Sequence, residues 1–224
     1  MKNFLSEFAG TFGFVFIGCG AAVFATPFIG YPGVALAFGL GYGAMLCAFK
    51  DGSFNPAVTL AALSCDRNGI FWKSALLNAA GNIAAQIAGA FAAVWLVYFV
   101  YAGKTGYVYQ GSSDANIIER YAPSAAFVLE TVLNLLFLLV FFKSGKDRRA
   151  AATAAVITAG YLLSYPVTRG AMNPARTSAS AIIEGEDAVS QLPLFWGASL
   201  TAAIIAGIVL NPAIIRFINK KSGK

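Results

Sequence analysis

The sequence predicts an all-α membrane protein with six transmembrane helices and two re-entrant half-helices in an inverted repeat. Three observations carry that prediction. Of 224 residues, 58% are hydrophobic and only 12% charged, with a mean hydropathy of +0.68, whereas soluble domains run near ~45–50% apolar and ~25% charged. Six apolar stretches approach or exceed the ~20 residues needed to cross a bilayer core. The triplet Asn-Pro-Ala occurs at 55–57 and again at 173–175, each time opening an apolar stretch too short to cross.

The elements follow in chain order. The first span is expected over 4–25; Glu7 interrupts what would otherwise read as a signal peptide, so it is taken as a retained helix. The second span is expected over 33–49 and the third over 75–101, with the short stretch 56–65 between them. The second half repeats the pattern, with spans at 122–142, 150–168 and 193–217 and the short stretch 174–183 between the last two. Proline suits the first turn of a helix, where its missing N–H costs nothing, and asparagine just before it is a preferred cap. Asn55-Pro56 and Asn173-Pro174 therefore each predict a helix start.

The halves match in more than the triplets. Glu7 lies in the first span and Asn55 follows 48 residues later; Glu130 lies in the fourth span and Asn173 follows 43 residues later. Three spans per half force the halves into opposite orientations, and short paired segments at matching places point to a central pathway. The expected organisation is one domain over 1–224, with repeats at about 1–110 and 120–220.

Charge sets the orientation. One side collects Lys2, Lys50, Arg67, Lys73, Lys143, Lys146, Arg148, Arg149, Arg216, Lys220, Lys221 and Lys224, and the other only Lys104, Arg120, Arg169 and Arg176. The positive-inside rule then puts both termini in the cytoplasm, in a plasma or inner membrane. The net charge of +6 is spread over loops and termini, with no basic face interleaved with aromatics, so no nucleic-acid partner is expected. There is no histidine, and Cys19, Cys47 and Cys65 show no metal spacing. No metal, cofactor or catalytic residue is expected, and the cysteines read as small apolar fillers.

Two half-helices that start near mid-membrane and meet head to head have a physical consequence. Each N-terminus carries roughly half a positive charge, and each asparagine can aim its amide into the gap. Irregular backbone at that depth is tolerated only where protein buries it or water reaches it. Donors and positive ends at one point would orient passing water, interrupt a chain of proton hops and repel cations.

The sequence resembles the aquaporin / major intrinsic protein family along nearly its whole length. The matching pieces are SEFAGTF at 6–12, GVALAFGL at 33–40, NPAVTL at 55–60, AQIAGAFAA at 85–93, GKTG at 103–106, FVLETVL at 127–133 and NPARTS at 173–178. GKTG looks most like the bacterial water-channel branch. The resemblance implies an aquaporin-like fold, a homotetramer in the lipid bilayer, and passive single-file conduction of water. It makes Asn55, Pro56, Ala57, Asn173, Pro174 and Ala175 the pore motifs. It places a selectivity filter at Phe38, Tyr161, Gly170 and Arg176, and gives Glu7 and Glu130 the task of holding the re-entrant loops.

The chain departs from the family pattern at the filter. Water-selective members usually carry histidine where Tyr161 stands. Glycerol facilitators carry glycine there, an aromatic at the position of Gly170, and aspartate after the arginine, where this chain has Thr177. The expected function is therefore a water channel that excludes protons and ions. The alternatives are a channel of the same fold for small neutral solutes (glycerol, urea, ammonia, hydrogen peroxide), a proton-coupled transporter using Glu7 or Glu130, and a scaffolding membrane protein. No enzymatic activity is expected.

Overall fold

The computed structural model describes residues 2–65, 72–104, 118 and 120–210. Arg67, Arg216, Lys220, Lys221, Lys224, the side chains of Lys2 and Cys65, the end of GKTG and the tail of the sixth expected span lie outside the described residues. Helix α1 (Lys2–Gly20) continues through a π-helical turn (Ala21–Ala25) into α2 (Thr26–Ala48). The half-helix α3 (Pro56–Cys65) and the long α4 (Trp72–Ala102) complete the first half. The second half comprises α5 (Pro123–Lys143), α6 (Lys146–Thr168), the half-helix α7 (Pro174–Glu184) and α8 (Glu186–Leu210).

The helical path Phe4–Ala48 covers 45 residues, more than twice what one crossing takes. It holds two crossings because the chain reverses at Gly30, whose φ of 61° and ψ of −178° lie outside the helix region. A positive φ is open to glycine at no steric cost. Packing on either side confirms the hairpin: a methyl group added at Gly18 would strike Phe38, at Gly41 Ile17, and at Gly13 Met45. With α4, α5, α6 and α8 the described residues therefore hold six crossings.

Helix pairing has the symmetry of an inverted repeat. Helix α1 packs on α4 as α5 packs on α8, and α1 on α2 as α5 on α6. Half-helix α3 lies against α8, and α7 lies against α4, so each re-entrant piece is held by the other half. The symmetry-related elements α2 and α6 pack on each other, as do α3 and α7. Small residues allow this closeness: Gly39 and Gly43 face the α6 backbone at Ala154 and Ala150, and Gly89 faces the backbone of Phe8.

Two helices start before their hydropathy does. Helix α6 begins at Lys146 rather than 150, because Lys-Asp-Arg-Arg is polar yet helix-forming. Helix α8 begins at Glu186 rather than 193, with Glu186 and Asp187 in its first turn, where acidic side chains suit the helix dipole. Lys50, Asp51, Lys146, Asp147 and Arg149 line one pocket at one end of the bundle; that end is called the basic face below.

Candidate functional site

The half-helices are 10 and 11 residues long, about 15 Å each at 1.5 Å per residue, or half of a ~30 Å hydrocarbon core. Each is capped by its own asparagine. Asn55 Oδ1 accepts from the Ala57 N–H at 2.8 Å. Asn173 Oδ1 accepts from Ala175 at 3.0 Å and from Arg176 at 3.3 Å. Pro56 and Pro174 fill the following position, and Ala57 and Ala175 are fully buried.

The asparagines then cross-link the halves. Asn55 Nδ2 donates to the Met172 carbonyl at 2.9 Å, and Asn173 Nδ2 donates to the Phe54 carbonyl at 2.8 Å. Those carbonyls are aimed by matched backbone: Phe54 and Met172, each directly before its asparagine, both have positive φ, 50° and 38°. Positive φ is uncommon for bulky residues and costs free energy, so something must hold it.

Two buried carboxylates occupy that position. Glu7 Oε1 accepts from the Ser53 N–H and hydroxyl, both at 2.8 Å, and Oε2 accepts from the Phe54 N–H at 2.7 Å. Glu130 Oε1 accepts from the Thr168 hydroxyl at 2.5 Å and the Ala171 N–H at 3.3 Å, and Oε2 from the Met172 N–H at 3.0 Å. In each half the carboxylate takes the two N–H groups directly before the asparagine. Gln86 of α4 adds a bond that the sequence reading missed, donating to Glu7 Oε2 at 2.9 Å. An intramembrane glutamine was the available signal.

The four expected filter residues converge on the side of the asparagines away from the basic face. Phe38 and Tyr161 stack with ring centroids 4.3 Å apart. The Arg176 guanidinium lies 5.1 Å from the Phe38 centroid, a cation–π distance. Arg176 is 0% exposed, so it does not snorkel to a surface. The Tyr161 ring fills the space a side chain at Gly170 would take: a Cβ there would come within 2.5 Å of it. Gly170 also has a φ of +67°. Gly170→Ala is therefore expected to strain the backbone by about 1 kcal/mol or more and displace the Tyr161 ring. Reduced water flux with a lowered detergent melting temperature would be the readout.

Between filter and basic face lies a cavity of about 10 Å³, bounded by Phe14, Tyr42, Asn55, Phe137, Ile157, Tyr161, Met172 and Asn173. That is about the room for one water. Phe14, Tyr42, Phe137 and Ile157 were not anticipated as site residues. Their spacing held the signal: Phe14 and Phe137 each fall seven residues after Glu7 and Glu130, while Tyr42 and Ile157 lie four from Phe38 and Tyr161. Residues so spaced share a helix face.

Comparison with known proteins agrees with this geometry. The model of the major intrinsic protein family matches residues 1–210. Aquaporin Z of Rhodopseudomonas palustris is 35% identical over 225 residues, covering 93% of this chain and 91% of its own. The X-ray structure of the aquaglyceroporin from Plasmodium falciparum superposes with a TM-score of 0.81 over 97% of this chain and 98% of that one. At 20% identity it speaks for the fold alone. Members of the family conduct water and small solutes through membranes and are not enzymes. With six crossings, two half-helices joined at their asparagines and a match over nearly its whole length, the chain belongs to the major intrinsic protein family and is an integral, multi-pass membrane protein of that channel family.

Proposed function

We propose that this chain is a passive, water-selective channel. The observation that carries the reading is the one-water cavity between two cross-linked helix N-termini, with the stacked Phe38–Tyr161 pair and Arg176 beyond it. Each asparagine amide spends one hydrogen on the opposite loop and has a second to offer to a water oxygen. Water turned oxygen-first toward both amides cannot pass a proton along, and the two positive helix ends with Arg176 repel cations. Asn55, Asn173, Phe38, Tyr161, Gly170 and Arg176 then line the path, and Glu7 and Glu130 hold the loops.

Water is favoured over larger neutral solutes because the Tyr161 ring occupies the space left by Gly170. The 35% identical relative named aquaporin Z supports the same choice. The proposal includes a homotetramer in the plasma (inner) membrane, both termini cytoplasmic, with the basic face inward as the positive-inside rule requires.

The test is stopped-flow light scattering on proteoliposomes in glycerol and urea gradients. Rapid shrinkage without accelerated re-swelling is the expected result. Re-swelling faster than in protein-free vesicles would reassign the chain to the neutral-solute channels.

A further inference from the structure

The filter described above has a counterpart on the other side of the asparagine pair. Tyr42 lies one helical turn beyond Phe38 toward the basic face. Its ring is tilted against Phe14 of α1 with centroids 4.9 Å apart. It stands edge-on to Phe54 and to Phe137 of α5, each 5.8 Å away. All four rings are 2% exposed or less. The Tyr42 hydroxyl donates to the Ser53 carbonyl, and the Ser53 N–H is itself fixed by Glu7. The ring is thus packed on several sides and tethered to a backbone that cannot easily yield.

Tyr42 and Phe137 bound the one-water cavity. A pocket of about 340 Å³ on the basic face is bounded by Asp51, Ser53, Val58, Phe141 and Arg149 among others, and the two spaces have no lining residue in common. The inverted repeat explains the placement. Tyr42 precedes Asn55 by 13 residues, and Tyr161 precedes Asn173 by 12. Gly52 and Gly170 each lie three residues before their asparagine, and Val58 and Arg176 three after. The inner side therefore repeats the tyrosine and glycine of the outer filter but has valine where the arginine stands.

We propose that Tyr42, backed by Phe137, forms a second, uncharged constriction between the asparagine pair and the basic face, and that this ring sets the rate of water passage. The inference rests on the reading of the chain as a water channel and deepens it. Arg176 selects at the outer filter by charge. Tyr42 limits at the inner one by cross-section, and by keeping the Ser53 carbonyl from passing water. Hydrophobic constrictions act this way, since a water file breaks where it has neither room nor acceptors.

The test is osmotic water permeability per reconstituted channel for wild type, Tyr42→Val, Tyr42→Phe and Phe137→Leu, each first shown to be monodisperse. Tyr42→Val is expected to conduct roughly tenfold faster, equivalent to about 1.4 kcal/mol off the barrier. Tyr42→Phe keeps the ring but releases the Ser53 carbonyl to passing water, so a rise smaller than that of Tyr42→Val is expected. Phe137→Leu should speed flow by relieving the ring from behind, and it decides the matter if Tyr42→Val does not fold. Glycerol should stay excluded in all of them, because the outer filter remains in series. Wild-type conduction with unchanged or slower flow in both Tyr42→Val and Phe137→Leu would overturn the inference and leave the channel reading standing. Folded wild type and variants that all match protein-free vesicles would overturn the channel reading, and the inference with it.

Discussion

Glu130→Ala is expected to abolish water conduction and to lower the melting temperature in detergent sharply. The Glu130 carboxylate is 1% exposed and accepts from Thr168, Ala171 and Met172. Alanine would take that acceptor from the buried Ala171 and Met172 N–H groups, while the Thr168 hydroxyl still has the Ser164 carbonyl at 3.3 Å. At roughly 1–3 kcal/mol for each of the two N–H groups, the loss is a large part of a domain's stability of about 5–15 kcal/mol. The effect would reach the pore directly: Met172 would be free to leave its positive φ, and its carbonyl is what Asn55 Nδ2 grips. Glu130→Gln tests the argument more finely. An amide retains one accepting oxygen but puts donors against donors, so intermediate stability is expected. A glutamine variant with wild-type stability and water flux but altered proton flux would instead make Glu130 a proton carrier.

Arg176→Val is expected to let cations and protons through a pore that still passes water. The arginine is fully buried and its charge sits beside the stacked Phe38–Tyr161 pair. A unit charge ~6 Å from a passing cation, at an effective dielectric of ~20, adds about 3 kcal/mol to the barrier. Its loss is worth roughly a hundredfold in cation flux. An interior pH dye under an imposed potential measures the proton part, and a sodium-sensitive dye the cation part. Cation leakage no greater than in wild type would place the barrier elsewhere, at the two helix N-termini.

Much of this was legible in the sequence because membrane physics leaves few choices. A bilayer demands long apolar runs, and an asparagine followed by proline specifies a capped helix start, so α3 and α7 begin at Pro56 and Pro174 as the spelling requires. Polar residues within apolar runs, Glu7 and Glu130, drew notice for the same reason. Hydropathy could not mark the opening turns of α6 and α8, which are polar and helical at once. Nor could it separate Phe14, Tyr42, Phe137 and Ile157 from aromatics and aliphatics on the outside of the bundle, such as the exposed Phe28 and Leu77. An apolar side chain is equally at home in lipid and in a core. Only its phase relative to a residue already placed in the path tells which way it faces. The reversal at Gly30 falls within 26–32, the interval that separates the first two expected spans, although the break itself is one residue's φ.

The most direct test is osmotic shrinkage of proteoliposomes recorded together with internal pH, for wild type and Tyr42→Val, in an impermeant osmolyte. The account predicts shrinkage well above that of protein-free vesicles, faster in the variant, with no proton movement in either. Shrinkage at the protein-free rate in both folded proteins, or water movement that carries protons with it, would contradict it.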